Sequence, residues 1–475
     1  MTARLPVLRL IVFVVGAASL GAEISAARLL APYFGASTII WANTIATVLV
    51  ALSAGYALGG RLADRRADLQ GLCAIVLAAA VLLAAVPFVA DPFLRLSVKA
   101  LGSLSVGAFL GSLAAVLVLV AVPVMLLGCV APYANRLALG HVAQTGTVTG
   151  RLYAISTAGS LLGTFLSALL LIPLVGTHRT FLVFALALAV VAAPGVRSRR
   201  FLAVPAAVGA LLAVPPAAIG SGVSGARVIY AAETPYQYVR VLQFPSGERW
   251  LQLNEGVAVH SDYVPGNYLT GGYWDDFLAF VRAPRRVAIL GNAAGTVARE
   301  LGHFYPATRV DAVELDGTLS TLGKRYFDLR GSNLHLYTAD ARPWLAASHA
   351  KYDAIFLDAY RQPYIPFYLL TKEFFADVRA HLAPGGQIAV NVGHIPGSDA
   401  LEKVVSATLG SVFAHVMRDV VGRSNSIVVA GDAPLQAGRV KLRPALSGGS
   451  VYSDDRAPVE WLTDLSILRY AAGSK

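Results

Sequence analysis

Four apolar runs between Arg285 and Asp358 decide the fold of the second half of the chain: RRVAILGNAAGTVAREL (285–301), VDAVELD (310–316), LYTADA (336–341) and YDAIFLDAY (352–360). Each run has the length of a buried strand and ends in a glycine loop or an acidic residue, a pattern that predicts a doubly wound α/β sheet. Such sheets bind ligands at the carboxyl ends of their strands, and an acid about 20 residues beyond the first glycine loop is placed for ribose hydroxyls. Glu314 follows Gly291 at roughly that spacing. The stretch therefore predicts a Rossmann-like, nucleoside-binding sheet.

The composition divides the chain into two parts. Of the 475 residues 56% are hydrophobic and only 14% are charged, whereas soluble domains are about 25% charged. The apolar excess lies before about Ser221, and the remainder has ordinary globular composition. We predict a transmembrane helical domain over 1–220, a linker over 221–226, a small antiparallel β-sheet followed by a helix at Tyr263–Val281 over 227–284, and a Rossmann-like catalytic domain over 285–475.

The first part contains apolar runs whose lengths are close to the roughly 20 residues that a helix needs to cross a bilayer. About seven helices are expected, although the sixth is short and the seventh contains three prolines. Their predicted positions are Leu5–Leu30, Ile39–Gly59, Leu72–Val89, Val106–Leu127, Leu152–Ile172, Phe181–Ala193 and Phe201–Ile219.

Basic residues cluster in alternate loops, which by the positive-inside rule places the N-terminus in the cytoplasm of a multi-pass plasma (inner) membrane protein. An odd number of crossings would place the C-terminal domain outside the cytosol, where a nucleoside cofactor is not made. An even number would place it inside, and the sequence leaves the side open. The net charge of +11 fits basic loops held against membrane lipid better than nucleic acid, because no basic run is interleaved with aromatic residues. No Cys/His ligand set occurs, so no metal is expected.

An ordered set of motifs resembles a known family. The stretches are TPYQYVRV, LQLNEGVAVHS, VAILGNAAG, VDAVELD, TADA and FLDAYRQPYIPFYLLTKEFF, spread over roughly 227–430. Together they resemble spermidine synthase, the polyamine aminopropyltransferases, and with the hydrophobic first half they resemble the membrane-fused spermidine synthase-like proteins. The resemblance implies a transferase of polyamine biosynthesis that uses decarboxylated S-adenosylmethionine or S-adenosylmethionine as co-substrate and releases methylthioadenosine.

The resemblance also implies roles for individual residues. Glu314 matches the acid on the ribose hydroxyls, Asp340 the residue near the adenine amino group, and Asp358 the base that deprotonates the attacking amine. In the alternative interpretation, the carboxylate of Glu314 or of Asp340 caps the helix that follows it in sequence. The remaining nucleoside-binding candidates are Gln237, Gly291, Asn292, Gly295, Leu315 and Ala341. Tyr360 is placed with Asp358 in catalysis, and the substrate-binding candidates are His260, Ser261, Tyr268, Arg361 and Tyr364.

Three positions depart from the family pattern in the part that binds the amine. Ala294 replaces the aspartate of the family's GGGDG loop, Arg361 replaces a second aspartate, and Val259 replaces a glutamine. At about 4 Å and an effective dielectric constant of about 20, Arg361 would repel each charge of a diamine by about 4 kcal/mol. Arg361 could instead pair with a carboxylate.

Three functions stay open at this point. The first is an aminopropyl transfer with Asp358 as base. The second is a cleavage, cyclisation or alkyl transfer that uses intact S-adenosylmethionine. The third is a nucleoside- or polyamine-sensing transport or regulatory module. The expected partner is a small-molecule amine or amino-acid-type substrate, and a homodimer is left open. Asp454, Asp455 and Glu460 either bind an amine or dock the tail.

Overall fold

The computed structural model describes residues 4–34, 38–101, 113–139, 145–196, 198–214, 223–254, 258–361, 364–395, 397–422 and 424–473. They form two compact units. The helical unit consists of Met1–Ile219 and Ala232–Tyr238, and the sheet unit consists of Gly220–Ala231 and Val239–Lys475.

The helical unit is built from long apolar helices. Their bounds are α1 (Arg4–Phe34), α2 (Thr38–Arg65), α3 (Leu69–Leu101), α4 (Val122–Gly128), α5 (Val130–Ala138), α6 (Thr145–Phe165), α7 (Ile172–Ala192) and α8 (Ala203–Leu211). Helices α1 and α6 cross at glycines, since a Cβ atom on Gly159 or Gly163 would collide with the backbone oxygen of Phe13 or Ala17. Small residues at such crossings let helix backbones approach closely, which is the packing common inside membranes.

Within the described residues, five helical stretches are long and apolar enough to cross a membrane. The last of them, Gly146–Gly195, has 50 residues and would extend about 75 Å, more than twice the hydrocarbon thickness. It is broken at Gly176, whose backbone is not helical (φ 83°, ψ 165°). Two spans predicted separately, Leu152–Ile172 and Phe181–Ala193, lie on either side of this break. The described part of the seventh predicted span is the short helix α8, and part of the fourth predicted span lies outside the described residues.

The sheet unit begins with a four-stranded antiparallel sheet in the order β1-β2-β3-β4. Its strands are β1 (Arg227–Glu233), β2 (Tyr238–Gln243), β3 (Arg249–Leu253) and β4 (Val259–Tyr263). The predicted small sheet is therefore confirmed, with β4 as a strand that the sequence analysis did not predict. The expected long helix over Tyr263–Val281 is wrong: it is reduced to α9 (Trp274–Phe277) and a 3-10 turn at Leu278–Phe280. Gly266 and Gly271 adopt positive φ angles, which no continuous helix permits.

An eight-stranded sheet follows, in the order β12-β10-β11-β9-β8-β5-β6-β7. Strands β9, β8, β5, β6 and β7 are parallel, while β10, β11 and β12 are antiparallel. The strands are β5 (Arg286–Leu290), β6 (Arg309–Glu314), β7 (Leu334–Thr338), β8 (Tyr352–Leu357), β9 (Leu382–Gly393), β10 (His415–Val421), β11 (Asn425–Gly431) and β12 (Arg443–Pro444). The helices are α10 (Thr296–Phe304), α11 (Gly317–Tyr326), α12 (Ala341–Ala347), α13 (Lys372–His381), α14 (Ala400–Gly410) and α15 (Val459–Gly473). The predicted Rossmann-like fold is confirmed.

The strand order reverses between β5 and β8, which are neighbours in the sheet although three helices separate them in sequence. A crevice opens at the carboxyl ends of the strands at such a switch point, where this class of sheet binds ligands. The loops that leave β5 and β8 touch through their backbones, because a Cβ atom on Gly291 (φ 90°) would collide with the backbone of Asp358 and Ala359. Gly291 therefore allows the glycine loop and Asp358 to lie side by side.

Candidate active site

The glycine loop Gly291–Gly295 connects β5 to α10 and is held from two sides. The backbone N–H of Ala293 donates to Glu314 Oε2 at 2.7 Å, and the N–H of Ala294 donates to Ser261 Oγ at 2.9 Å. Ser261, a predicted substrate contact, is fully buried and holds the loop instead. Gly295 adopts a left-handed conformation and begins α10.

Glu314 lies at the carboxyl end of β6 and is half-buried. Its second oxygen, Oε1, accepts the backbone N–H of Asp316 at 3.0 Å. Burial raises the pKa of the Glu314 carboxyl to about 7, although the hydrogen bonds from backbone N–H groups lower this pKa. The residue that caps α11 is Asp316, whose side chain accepts the N–H of Thr318. Glu314 is therefore not the helix cap, and each of its oxygens accepts one backbone N–H.

Asp340 caps α12, as the alternative interpretation of the sequence expected. Its Oδ1 accepts the N–H of Arg342 at 3.1 Å, and its Oδ2 accepts the hydroxyl of Tyr368 at 2.7 Å. Ala341 is buried in the first turn of that helix, and the apolar side chain of Leu315 is 39% exposed just beyond β6. Asp340 is thus fixed at the same edge of the sheet as Glu314, with each of its oxygens already bonded to one donor.

Asp358 follows β8 at the switch point and is held by two side chains that sequence reasoning missed. Tyr273 donates its hydroxyl to Asp358 Oδ2 at 2.9 Å, and Asn391 donates its amide to Asp358 Oδ1 at 2.8 Å. Asn425 in turn donates to Asn391 Oδ1 at 2.9 Å. Burial raises the pKa of the Asp358 carboxyl to about 7, although both donors lower it. A carboxyl that titrates near neutrality is suited to take up a proton.

Tyr360, predicted to act with Asp358, has a different position. Its hydroxyl donates to the carbonyl oxygen of Asn391 at 3.0 Å and accepts the N–H of Gly393 at 2.6 Å. It therefore holds the end of β9, and Tyr273 is the tyrosine that contacts the carboxylate. The one sequence signal for Asn391 was an amide inside the apolar run QIAVNVG. Tyr273 stood among several tyrosines with nothing to distinguish it.

Among the other predicted substrate residues, Arg361 and Tyr364 are joined by two backbone hydrogen bonds. Tyr364 donates to Asp464 Oδ1 at 2.6 Å, and Tyr268 stacks on His303 with ring centroids 3.6 Å apart. Burial lowers the pKa of His260 to about 4, so this imidazole is neutral at pH 7. Arg361 is exposed beyond β8, and its guanidinium has no ion pair in the described part of the chain.

For two of the predicted nucleoside-binding residues, Asn292 and Gln237, no hydrogen bond within the described part of the chain indicates how the side chain would contact a nucleoside. The Asn292 side chain is 6% exposed, and neither of its polar atoms has a hydrogen-bond partner among the described residues. Gln237 lies in the segment Ala232–Tyr238, which belongs to the helical unit, and its carbonyl oxygen accepts the N–H of Thr234. Its nucleoside contact stays a prediction.

The acidic tail docks onto the sheet unit. Arg342 donates to both oxygens of Asp454 at 2.7 Å, and the hydroxyl of Thr371 donates to Asp454 Oδ1 at 2.8 Å. These bonds satisfy the carboxylate, so Asp454 fits the docking alternative. The described ranges contain no group of three or more His, Cys, Asp or Glu side chains placed to hold a metal ion.

The parallel sheet, the glycine loop bonded to Glu314 and the half-buried Asp358 at the switch point define a Rossmann-like domain, a fold whose crevice commonly binds nucleotides. Residues 277–421 match the family described as "Spermine/spermidine synthase domain". Within the sheet unit, these residues are similar to spermidine synthases, in agreement with the spermidine synthase resemblance seen in the sequence.

Curated relatives carry related names. A "Probable polyamine aminopropyl transferase" of Bifidobacterium longum is 38% identical over 190 residues, 39% of this chain and 42% of the relative. A "Polyamine aminopropyltransferase" of Vibrio vulnificus is 35% identical over 142 residues, 29% of this chain and 46% of the relative. The chain thus spans less than half the length of these two relatives. A solved "probable spermidine synthase" of Corynebacterium glutamicum aligns at 22% identity and a TM-score of 0.40, covering 52% of this chain and 95% of that one.

Proposed function

We propose that the protein is a membrane-anchored aminopropyltransferase that acts on decarboxylated S-adenosylmethionine and an amine. The observation that carries the proposal is the half-buried Asp358 carboxyl, which accepts hydrogen bonds from Tyr273 and Asn391 and has a pKa of about 7, at the same strand-end edge as Glu314. The names of the relatives support the aminopropyl class. Membrane anchoring is supported by the long apolar helices of the first unit.

The reaction needs one proton acceptor and accurate positioning. The amine nitrogen attacks the carbon next to the sulfonium, the carbon–sulfur bond breaks, and its electron pair stays on sulfur as neutral methylthioadenosine. The nitrogen releases one proton, which Asp358 accepts. Glu314 would accept the ribose hydroxyls while Tyr273 and Asn391 keep Asp358 oriented, so catalysis comes mainly from positioning and one general base.

Product analysis on the purified full-length protein tests this function. Methylthioadenosine is expected only when decarboxylated S-adenosylmethionine and putrescine are both present. Binding of the nucleoside without turnover, unchanged in Asp358→Asn, would contradict an enzyme and favour the sensing module.

A second candidate function rests on Arg361 and Ala294. Arg361 presents a cation that has no ion pair among the described residues, and Ala294 is fully buried where the family carries an aspartate. A substrate with its own carboxylate, such as intact S-adenosylmethionine, would pair with Arg361 and would lose nothing at Ala294. Release of methylthioadenosine from intact S-adenosylmethionine without an amine, abolished in Arg361→Gln, supports this candidate over the first.

The orientation in the membrane also forms part of the proposal. Counting the two parts of Gly146–Gly195 separately gives six crossing segments. An even number places the sheet unit on the side of the N-terminus, which is the cytoplasmic side by the positive-inside rule. Cys73 and Cys129 are both buried, so single cysteines introduced at exposed positions of the sheet unit can be labelled in intact cells. Labelling by a membrane-impermeant reagent from outside would overturn this orientation.

A further inference from the structure

A cavity of about 410 Å³ lies in the helical unit between the first turns of α1 and α6 and the end of α5. Its polar lining consists of Arg9, Thr147 and Arg151, and its apolar lining includes Leu5, Val148 and Leu152. No residue of the proposed active site contributes to it. Two arginines therefore share one cavity whose walls are otherwise mostly apolar.

Neither guanidinium has a partner in the part of the chain that the structure describes: no ion pair or hydrogen bond joins Arg9 or Arg151 to another side chain. Arg9 is half-buried and Arg151 is exposed, and each lies near the start of an apolar stretch long enough to cross a membrane, Leu5–Ala31 or Gly146–Gly195. At such a position an arginine can meet water, a carboxylate or a phosphate. Two arginines on one cavity repel each other, and an anion between them removes that repulsion.

The surface around Arg9 indicates the source of the anion. Val7 is 43% exposed and Leu10 is 53% exposed, so apolar side chains face outward on both sides of this arginine. An exposed apolar helix surface next to a cationic cavity matches a molecule with an acidic head and apolar chains. Basic pockets between helices near the cytoplasmic surface bind the headgroups of anionic lipids.

We propose that this cavity is a binding site for the phosphate headgroup of an anionic phospholipid. The guanidiniums of Arg9 and Arg151 hold the phosphate oxygens, and Thr147 lies within the same cavity as a further hydroxyl donor. The acyl chains pack on Leu5, Val148 and Leu152 and continue along the exposed apolar face of α1. The site fixes the cytoplasmic end of the α1–α6 pair in the membrane, independently of any activity of the sheet unit.

Lipid retention by the full-length protein tests the proposal. Protein purified from vesicles of equal parts dioleoylphosphatidylglycerol and dioleoylphosphatidylcholine is examined by native mass spectrometry for bound lipid. Wild type is expected to retain phosphatidylglycerol preferentially. Arg9→Gln and Arg151→Gln are each expected to weaken that preference about fivefold, the factor for one basic residue at an anionic surface, and the double variant by the product.

Two further variants keep the result interpretable. Arg61→Gln removes the same charge from an exposed arginine of α2 outside the cavity and is expected to retain lipid as wild type does. Arg9→Lys with Arg151→Lys keeps both charges and is expected to retain most of the preference, even where the glutamine pair impairs folding.

Equal retention by wild type and the folded double glutamine variant would overturn the proposal, as would equal losses in Arg61→Gln. Inorganic phosphate forms the comparison arm, because it offers the same oxygens without chains. Displacement of phosphatidylglycerol by inorganic phosphate at comparable concentration would identify a soluble-anion site and would overturn the assignment to lipid.

Discussion

The proposed nucleoside side and the proposed amine side of the crevice are built in different ways. On the nucleoside side, Glu314 is fixed by two backbone N–H groups, from Ala293 and Asp316. On the amine side, Asp358 is fixed by two side chains, from Tyr273 and Asn391, and Arg361 and Ala294 stand where the family pattern has acids. Backbone donors persist through most substitutions, whereas side-chain donors do not. In the proposed function, the nucleoside contact would therefore tolerate substitutions better than the amine contact.

The largest expected effect is on the amine side. Asp358→Asn removes the proton acceptor but keeps the shape and one acceptor oxygen, so kcat is expected to fall by about 10²–10⁴ with little change in nucleoside binding. Asp432→Asn, on an exposed carboxylate that pairs with Arg379, is the matched control. Steady-state rates of methylthioadenosine release measure both variants, and a near-normal rate in Asp358→Asn would refute its role as base.

A smaller effect is expected on the nucleoside side. Glu314→Gln places an amide N–H₂ against one of two backbone N–H donors, which loosens the glycine loop and weakens the ribose contact. Nucleoside affinity is expected to fall by about 10–100-fold, the range for one hydrogen bond to a charged group. Calorimetric titration with methylthioadenosine measures it, with Glu248→Gln, which keeps an acceptor for Trp250, as control. Unchanged affinity would mean that the ribose binds elsewhere.

Arg361→Asp sharpens the comparison by restoring an acid on the amine side. The KM for putrescine is expected to fall by about five- to tenfold, because the exchange turns repulsion into attraction at an exposed position where solvent screens the charges. Arg330→Asp makes the same charge change at an arginine that is 77% exposed. If both variants respond alike, the effect belongs to the net charge and not to the site.

The smallest expected effect is a displaced pH profile. Asp358 acts as a base only when deprotonated, so kcat/KM should rise with pH through about 7, the pKa of its carboxyl. Tyr273→Phe removes a hydrogen bond that lowers this pKa, so the rising limb should move to higher pH by about one unit. The Tyr360 hydroxyl bonds to the backbone of Asn391 and Gly393 and not to the Asp358 carboxylate, so Tyr360→Phe should move the limb less than Tyr273→Phe does. A shift in Tyr360→Phe alone would reverse the roles given to the two tyrosines.

The sequence predicted the parallel strands well, because each is a short apolar run bounded by a loop or an acid. It did not predict β4 or β10, which are half-buried at several positions and lack a continuous apolar run. The helix expected over Tyr263–Val281 does not form because Gly266 and Gly271, next to Pro265, adopt positive φ angles that a continuous helix does not permit. In the site, strand-end acids were found, while Tyr273 and Asn391, which hold Asp358, were not.

The sequence by itself determined what depends on local order along the chain: apolar spans in the first half, a Rossmann-like sheet in the second, and acids that follow their strands. Only the tertiary structure decided which side chains meet. Tyr273 and Asp358 are 85 residues apart in sequence, and Arg9 and Arg151 reach one cavity from two different helices. Periodicity and motif spacing describe neighbours along the chain, whereas these contacts arise from packing between distant elements.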